Sequence, residues 1–176
     1  RLVYCSVTGF GQTGPRRDQP AYDFLIQAMG GLMSVTGERD GLPGAGPQKV
    51  GVPIVDLMTG MYTAVAVLGA LAQRERTGQG EFIDVAMLDV QVASLANQAM
   101  NYLVSGKVPR RNGNAHPNIQ PQDVYSCADG DVILVVGNDG QYAKLCEALG
   151  RPELATDARY ATNAQRVRHI AELSAT

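Results

Sequence analysis

The sequence lacks any run of Lys or Arg: 15 basic residues stand against 17 acidic ones, a net charge of -2 over 176 residues. Nucleic acids and anionic membranes are recognised through a concentrated positive field, so neither is expected as a partner. Cysteine is scarce and odd in number, with only Cys5, Cys127 and Cys146, and histidine is limited to His116 and His169. That excludes a disulfide scaffold and a zinc site, predicts no bound metal, and fits a reducing, cytoplasmic setting. The longest strongly apolar run, Tyr62 to Ala72, has 11 residues, short of the roughly 20 that cross a bilayer, so a soluble protein is expected. No Gly-x-Ser-x-Gly elbow is present, which removes the usual serine-hydrolase signature. The chain opens Arg1-Leu-Val-Tyr-Cys5, with neither an initiator Met nor a signal peptide, and reads as an internal fragment that starts inside a strand.

What is present describes a folded α/β chain. Hydrophobic residues make up 45% of the sequence, and its 20 glycines follow no period, which argues for a globular domain or two small ones. Leu2 to Val7 is β-prone and feeds a turn-rich stretch from Thr8 to Pro20. Tyr22, Leu25, Ile26, Met29, Leu32 and Met33 recur at helical spacing, with the pair Gly30-Gly31 near the exit. Glu38 to Gly51 is a loop. Leu57 to Arg76 predicts a long helix, with Val52 to Val55 as a strand-like approach and Asp56 as its N-cap. Gly60, Ala64, Gly69 and Ala70 would let another backbone come close to that helix. Phe82 to Val85 predicts a buried strand and Met87 to Val104 a second long helix. After the Gly, Pro, Arg and Asn-rich stretch from Ser105 to Gln122, two β-prone runs flank Asp129-Gly130 as a hairpin. Helices at 141–149 and 165–173 follow.

Gly9-Phe10-Gly11-Gln12-Thr13-Gly14 matches the dinucleotide fingerprint as a string of letters. Pro15 and Pro20 bracket charged residues where that fingerprint needs a helix to begin, so a plain glycine-rich loop is the better reading. Asp56 admits two readings. A carboxylate at a helix start caps the first-turn amides without any chemistry; the same carboxylate, held rigidly and partly desolvated by apolar neighbours, can serve as a nucleophile.

Four stretches, taken in order, resemble the family III CoA-transferases of the CaiB-BaiF type: Gly9 to Pro15; Pro20-Ala-Tyr-Asp23 with Gln27 and Gly30-Gly31; Val52-Pro-Ile-Val-Asp-Leu-Met-Thr-Gly60; and Arg76-Thr-Gly-Gln-Gly80. Asn112 to Pro117 followed by Gln120-Pro121 resembles a later loop of that family, so the likeness covers nearly the whole chain. The resemblance implies transfer of coenzyme A from an acyl-CoA to a free carboxylic acid through an aspartyl-CoA thioester. Coenzyme A thioesters would be substrates, with no permanently bound cofactor. Asp56 falls on the catalytic aspartate. Gln19, Pro20, Ala21 and Tyr22 fall on a stretch lining coenzyme A, Tyr22 and Asp23 beside the reacting carbonyl, and Gly113, Asn114 and His116 on a mobile substrate loop. The implied fold is part of a Rossmann-like large domain followed by the start of a smaller α+β domain. Residues 1–106 would be the catalytic part of the large domain, 107–122 the linker and substrate loop, and 123–176 the start of the small domain. An interlocked homodimer is implied for the whole protein, with the fragment alone inactive.

The chief alternative is an α-methylacyl-CoA racemase, which resembles the same family and uses the aspartate with a histidine for proton transfer. Tyr22 stands at the histidine's position, and a neutral tyrosine is a poor base at pH 7. A non-catalytic nucleotide-binding or scaffold module is the third reading. The identity of the exchanged acids is not encoded in any motif.

Overall fold

The computed structural model describes residues 1–176, which divide into two compact units, 1–111 and 112–176. In the first unit, β1 (Val3–Thr8) and β2 (Glu81–Ala86) pair in parallel, with Val3 opposite Glu81 and Thr8 opposite Ala86. Parallel neighbours need a long crossover, and here it carries α1 (Asp23–Met29), α2 (Leu32–Val35) and α3 (Ile54–Thr77). Helix α3 packs against both strands, while α1 packs against α2, α3 and α4 (Met87–Ala93), the helix that follows β2. Ile26, Val55, Ala70, Val85, Ala86 and Val90 are buried in this unit.

Several elements depart from the sequence expectations. Helix α3 starts at Ile54, so Val52 to Val55 is not a strand-like approach. Pro53, with φ -74 and no N–H to lose, is well suited to open a helix. The helix ends where the Gly78 amide returns to the Arg74 carbonyl at 2.8 Å. Over its 24 residues α3 is long and apolar enough to cross a membrane by length and composition. The 11-residue run understated it because the apolar pattern resumes on the N-terminal side of Thr59-Gly60, from Ile54 to Met58 around Asp56. Leu57, Met61, Val65 and Leu68 form an exposed apolar stripe on α3, and beyond the local helix backbone a Cβ built at Gly60 or Gly69 would meet nothing within 4 Å.

Strand β2 is only partly buried, since Phe82 is exposed and stacks on Tyr4 with ring centroids 5.7 Å apart. The expected single helix from Met87 to Val104 is two, α4 and α5 (Ala96–Ser105). The Ser94 hydroxyl donates back to the Val90 carbonyl at 2.7 Å, and Ala96 takes φ 46, which no continuous α-helix can contain.

The second unit is built on an antiparallel hairpin, β3 (Gln122–Cys127) and β4 (Gly130–Val135). Cys127 pairs with Gly130, so Ala128-Asp129 forms the turn and Gly130 is the first residue of β4. Helix α6 (Asp139–Ala148) follows, its N-terminus capped by the Asn138 side chain, which accepts from the Gln141 amide at 2.9 Å. A 3-10 turn (Pro152–Ala155), α7 (Asn163–Arg168) and α8 (Ile170–Leu173) complete the unit, α7 and α8 breaking at His169. Val136, Tyr142, Cys146 and Tyr160 form its core.

Beside that core lies a wholly buried cation. Arg166 is 0% exposed. It donates to the Gln120 carbonyl at 2.7 Å, the Tyr160 carbonyl at 2.8 Å and Asp139 Oδ1 at 2.7 Å, and its guanidinium lies 4.3 Å from the Tyr142 ring centroid. The Arg166 hydrogen bond holds the Asp139 carboxyl below its usual range, against the smaller effect of desolvation. Burial pushes the Tyr142 phenol well up. Arg166→Met is expected to destabilise the second unit by about 3 kcal/mol or more, because three acceptors lose one charged donor. A group whose folded pKa is depressed adds stability above its unfolded pKa and loses it as pH falls through the folded value. The variant is therefore also expected to flatten the loss of stability below about pH 4; urea unfolding of both proteins from neutral to acid pH checks it.

Candidate active site

The turn-rich loop after β1 is held by its own backbone. Gly11 N donates to the Thr8 hydroxyl at 2.8 Å, Gln12 N donates to Asp84 Oδ2 at 2.8 Å, and the Leu88 amide at the start of α4 donates to the Gly9 carbonyl at 3.0 Å. No helix begins within Gly9 to Gly14, so the fingerprint is a loop, as its prolines predict. A Cβ at Gly9 would overlap that of Ala21, so the glycine lets residues 19–22 lie against the end of β1. Gln19 and Pro20 are exposed there and Ala21 is half-buried. Arg16 donates to Gln19 Oε1 at 3.0 Å, and its guanidinium sits 5.9 Å from the Phe10 ring centroid.

Tyr22 is the N-cap of α1 and is 79% exposed. Asp23 turns inward. Its Oδ1 accepts from the Val55 amide at 2.8 Å and its Oδ2 from Gln27 Nε2 at 2.6 Å. The other end of the Gln27 amide, Oε1, accepts from the Val50 amide at 2.9 Å. One side chain from α1 thus caps α3, and its neighbour one turn on holds the start of the connector leading into α3.

That geometry corrects the expected role of Asp56 in the helix. Pro53 is the N-cap, with no side-chain hydrogen bond of its own, and Asp56 is the third residue inside α3. The capping carboxylate belongs to Asp23, from 32 residues away. Asp56 is exposed rather than desolvated by apolar neighbours, while Val55 before it is 1% exposed. A negative charge in the first turn is favoured by the helix dipole by about 0.3–1 kcal/mol. The Ile54 amide turns back to the Val52 carbonyl at 2.8 Å and Leu57 N closes the first full turn on Pro53 O at 3.1 Å. The Asp23–Val55 bond therefore brings residues 22–23 beside the first turn that carries Asp56. One turn further, the Thr59 hydroxyl is buried without a partner.

Gly113, Asn114 and His116 belong to the second unit. Gly113 and Asn114 are exposed, and His116 is half-buried. His116 Nδ1 accepts from the Asn118 amide at 3.1 Å, which leaves Nε2 as the protonated nitrogen of the neutral ring. The His116 carbonyl accepts from Gln120 Nε2 at 2.7 Å, Asn163 Oδ1 accepts from the Gln120 amide at 3.0 Å, and Asn163 Nδ2 donates to the Asn118 carbonyl at 2.8 Å. With Arg166, α7 therefore pins residues 118–120 from two positions. An apolar cavity of about 650 Å³ lies between the hairpin and α6, lined by Leu134, Tyr142, Leu145 and Leu154, and none of the sequence-nominated residues reaches it. His, Cys, Asp and Glu form no cluster of three able to hold a metal ion.

Gln27, Asn163 and Arg166 carry this architecture; in the sequence Gln27 belongs to a family-like stretch without an assigned role, and Asn163 and Arg166 belong to no motif. Gln27 lies four residues after Asp23, a spacing that puts the two on one helix face; Arg166 has no comparable signal.

The model of CoA-transferase family III matches residues 1–176. The chain belongs to that family. Within CoA-transferase family III it is similar to the succinate–glutarate CoA-transferase of Agrobacterium fabrum, with 54% identity over 98% of this chain and 42% of that protein. The succinyl-CoA:glutarate CoA-transferase of Mus musculus is 43% identical over 98% of this chain and 38% of its own length. A crystal structure of a CAIB/BAIF family protein from Brucella suis superposes with a TM-score of 0.76 at 53% identity, covering 99% of this chain and 45% of that one. The chain thus spans less than half the length of these relatives, and their transferase names do not favour the racemase alternative.

Gly9→Val is expected to destabilise the first unit by about 1–3 kcal/mol, the usual result of forcing a side chain into an occupied position. It should also displace residues 19–22. Urea unfolding gives the first quantity, and a loss of coenzyme A affinity in the full-length protein the second.

Proposed function

We propose that the protein containing this chain is a CoA-transferase that moves coenzyme A from an acyl-CoA to a free carboxylic acid, with Asp56 as the nucleophile. The observation that carries the reading is an exposed carboxylate in the anchored first turn of α3, beside Tyr22-Asp23, in a chain matched along its length by family III. The names of its relatives, which act on succinate and glutarate, support dicarboxylic acids as the substrate class.

In this reading the Asp56 carboxylate attacks the thioester carbonyl of the donor. The C–S bond breaks, coenzyme A leaves as a thiolate, and an acyl-aspartyl anhydride remains. The thiolate then attacks the aspartyl carbonyl, releasing the donor acid and leaving an aspartyl-CoA thioester. The acceptor carboxylate attacks that thioester and expels the thiolate, forming a new anhydride. Thiolate attack on the acceptor's acyl carbonyl releases the product thioester and restores the Asp56 carboxylate. Each step passes through a tetrahedral oxyanion, which amide donors at a helix start stabilise. The Asp56 amide is the first-turn donor of α3 beyond those bonded to Val52 and Asp23, and Tyr22, the residue before the capping Asp23, supplies an exposed hydroxyl as a second donor. Exclusion of water protects the anhydrides from hydrolysis.

Gln19 to Tyr22 serve in this reading as the coenzyme A stretch, and Gly113, Asn114 and His116 as the substrate loop, His116 offering Nε2–H to a carboxylate. Residues 1–106 stand as part of a Rossmann-like large domain, 107–122 as linker and loop, and 123–176 as the start of the smaller domain. A cytoplasmic homodimer, binding neither membrane nor nucleic acid, completes the proposal. The homodimer alone has a structural argument behind it: the exposed apolar stripe of α3 is a surface that a second copy or further polypeptide would cover.

In the full-length protein, Asp56→Asn is expected to abolish transfer between succinyl-CoA and a panel of dicarboxylic acids while leaving thermal unfolding nearly unchanged, because Asp23 rather than Asp56 caps α3. Acyl-CoA followed by hydroxylamine should modify Asp56 in the parent protein, seen by peptide mass. Transfer by the Asn variant at an undiminished rate would remove Asp56 from the mechanism.

A further inference from the structure

Gln27 is 0% exposed, yet its amide lies in an otherwise apolar position on α1, next to Ile26, also 0% exposed. A buried amide is retained only if its donors and acceptors are met, and here both ends are used on a single segment. Oε1 holds the Val50 amide at 2.9 Å, and Nε2 holds Asp23 Oδ2 at 2.6 Å. Asp23 Oδ1 in turn holds the Val55 amide at 2.8 Å. Between those two amides run Gly51, Val52 and Pro53, exposed and without regular structure. Val50 and Val55 are thus the two fixed points of the connector that delivers the first turn of α3. Without Gln27, one fixed point is lost outright, and the other rests on a carboxylate bonded through a single oxygen and free to turn about its Cβ–Cγ bond.

We propose that Gln27 is a positioning residue for Asp56: by locking the Asp23 carboxylate and the Val50 amide together, it sets where the first turn of α3 presents its nucleophile. This rests on the reading of Asp56 given above. Gln27 does not reach substrate, so its loss should act on the chemical step and not on coenzyme A binding. A displacement of about 1 Å at a reacting group is worth about 10²-fold in rate. The charged groups on the elements around α1 are Asp23 itself, Asp56 in the first turn of α3 with Arg74, Glu75 and Arg76 at its far end, Asp89 in the first turn of α4, and Lys49 in the connector. Of these, Asp23 is the one bonded to Gln27.

The test uses the full-length enzyme with succinyl-CoA and a dicarboxylic acceptor. Gln27→Met keeps the volume and removes both hydrogen bonds; it is expected to lower kcat about 10²-fold and to leave KM for the acyl-CoA within about threefold. Gln27→Glu keeps the shape and the acceptor for Val50 but sets a second carboxylate against Asp23 Oδ2. Two carboxylates so close share a proton, and the shared proton restores the bond. Its kcat is therefore expected to recover as pH falls from about 8 to about 6, a limb the parent lacks, with hydroxylamine trapping at Asp56 following kcat. Folded variants with parental kcat at every pH would overturn the proposal. So would losses that track the fall in Tm, with no recovery at low pH for Gln27→Glu, since that pattern marks a purely structural glutamine. Failure to trap Asp56 in the parent would overturn the nucleophile and this inference together, whereas trapping in the parent with unaffected variants overturns the inference alone.

Discussion

The first unit turns on one carboxylate. A helix of 24 residues presents free amides at its start, and the residue at its own cap, Pro53, has no side chain able to meet them. Asp23 meets one of them from α1, and a hydrogen bond to a charged acceptor contributes about 1.5–3 kcal/mol. The consequence is geometric as well as energetic. The start of α3 is fixed relative to α1, α1 is fixed against α4 by packing, and the Gly9 carbonyl fixes the start of α4 relative to β1. The position of Asp56 follows from this chain of contacts and not from any preference of its own side chain.

The second unit uses a related device with the charges reversed. Arg166 is a cation placed where an apolar side chain would pack, and three acceptors and an aromatic face compensate the burial of its charge. Its Nε–H bond to Gln120, together with the Asn163 bonds to residues 118 and 120, ties an irregular stretch to a short helix. In both units a helix-borne polar side chain holds a segment that has no ladder or helix of its own. Irregular backbone near a site needs such ties, because nothing in its own hydrogen bonding restrains it.

Unit 1 also leaves apolar surface open. A parallel pair is normally covered on both faces, yet Tyr4 and Phe82 stack in the open, and the stripe from Leu57 to Leu68 on α3 is exposed. The relatives are more than twice as long as this chain. Surface of this kind is what additional polypeptide of the same protein would bury.

Much of the local structure was legible from residues alone. β-prone runs and turn chemistry located β1, β2 and the hairpin; Ala and Leu density located α3; the prolines after Gly14 excluded a nucleotide loop; and the ordered motifs from Gly9 to Gly80 identified the family. These depend on neighbours within a few residues, or on whole-chain pattern, and both are written linearly. What escaped depends on contacts between distant residues. Asp56 precedes an apolar helical run as a cap does, but the cap comes from Asp23 across 32 residues. The Met87 helix divides because Ser94 bonds back to Val90 and Ala96 leaves the right-handed region, a choice the apolar period does not record. Arg166 looks like any surface arginine until three carbonyl or carboxylate oxygens converge on it. Local pattern encodes the family and most of the elements, whereas the inward turn of particular polar side chains depends on the fold, because the energy of a buried hydrogen bond depends on a partner whose proximity no linear spacing expresses.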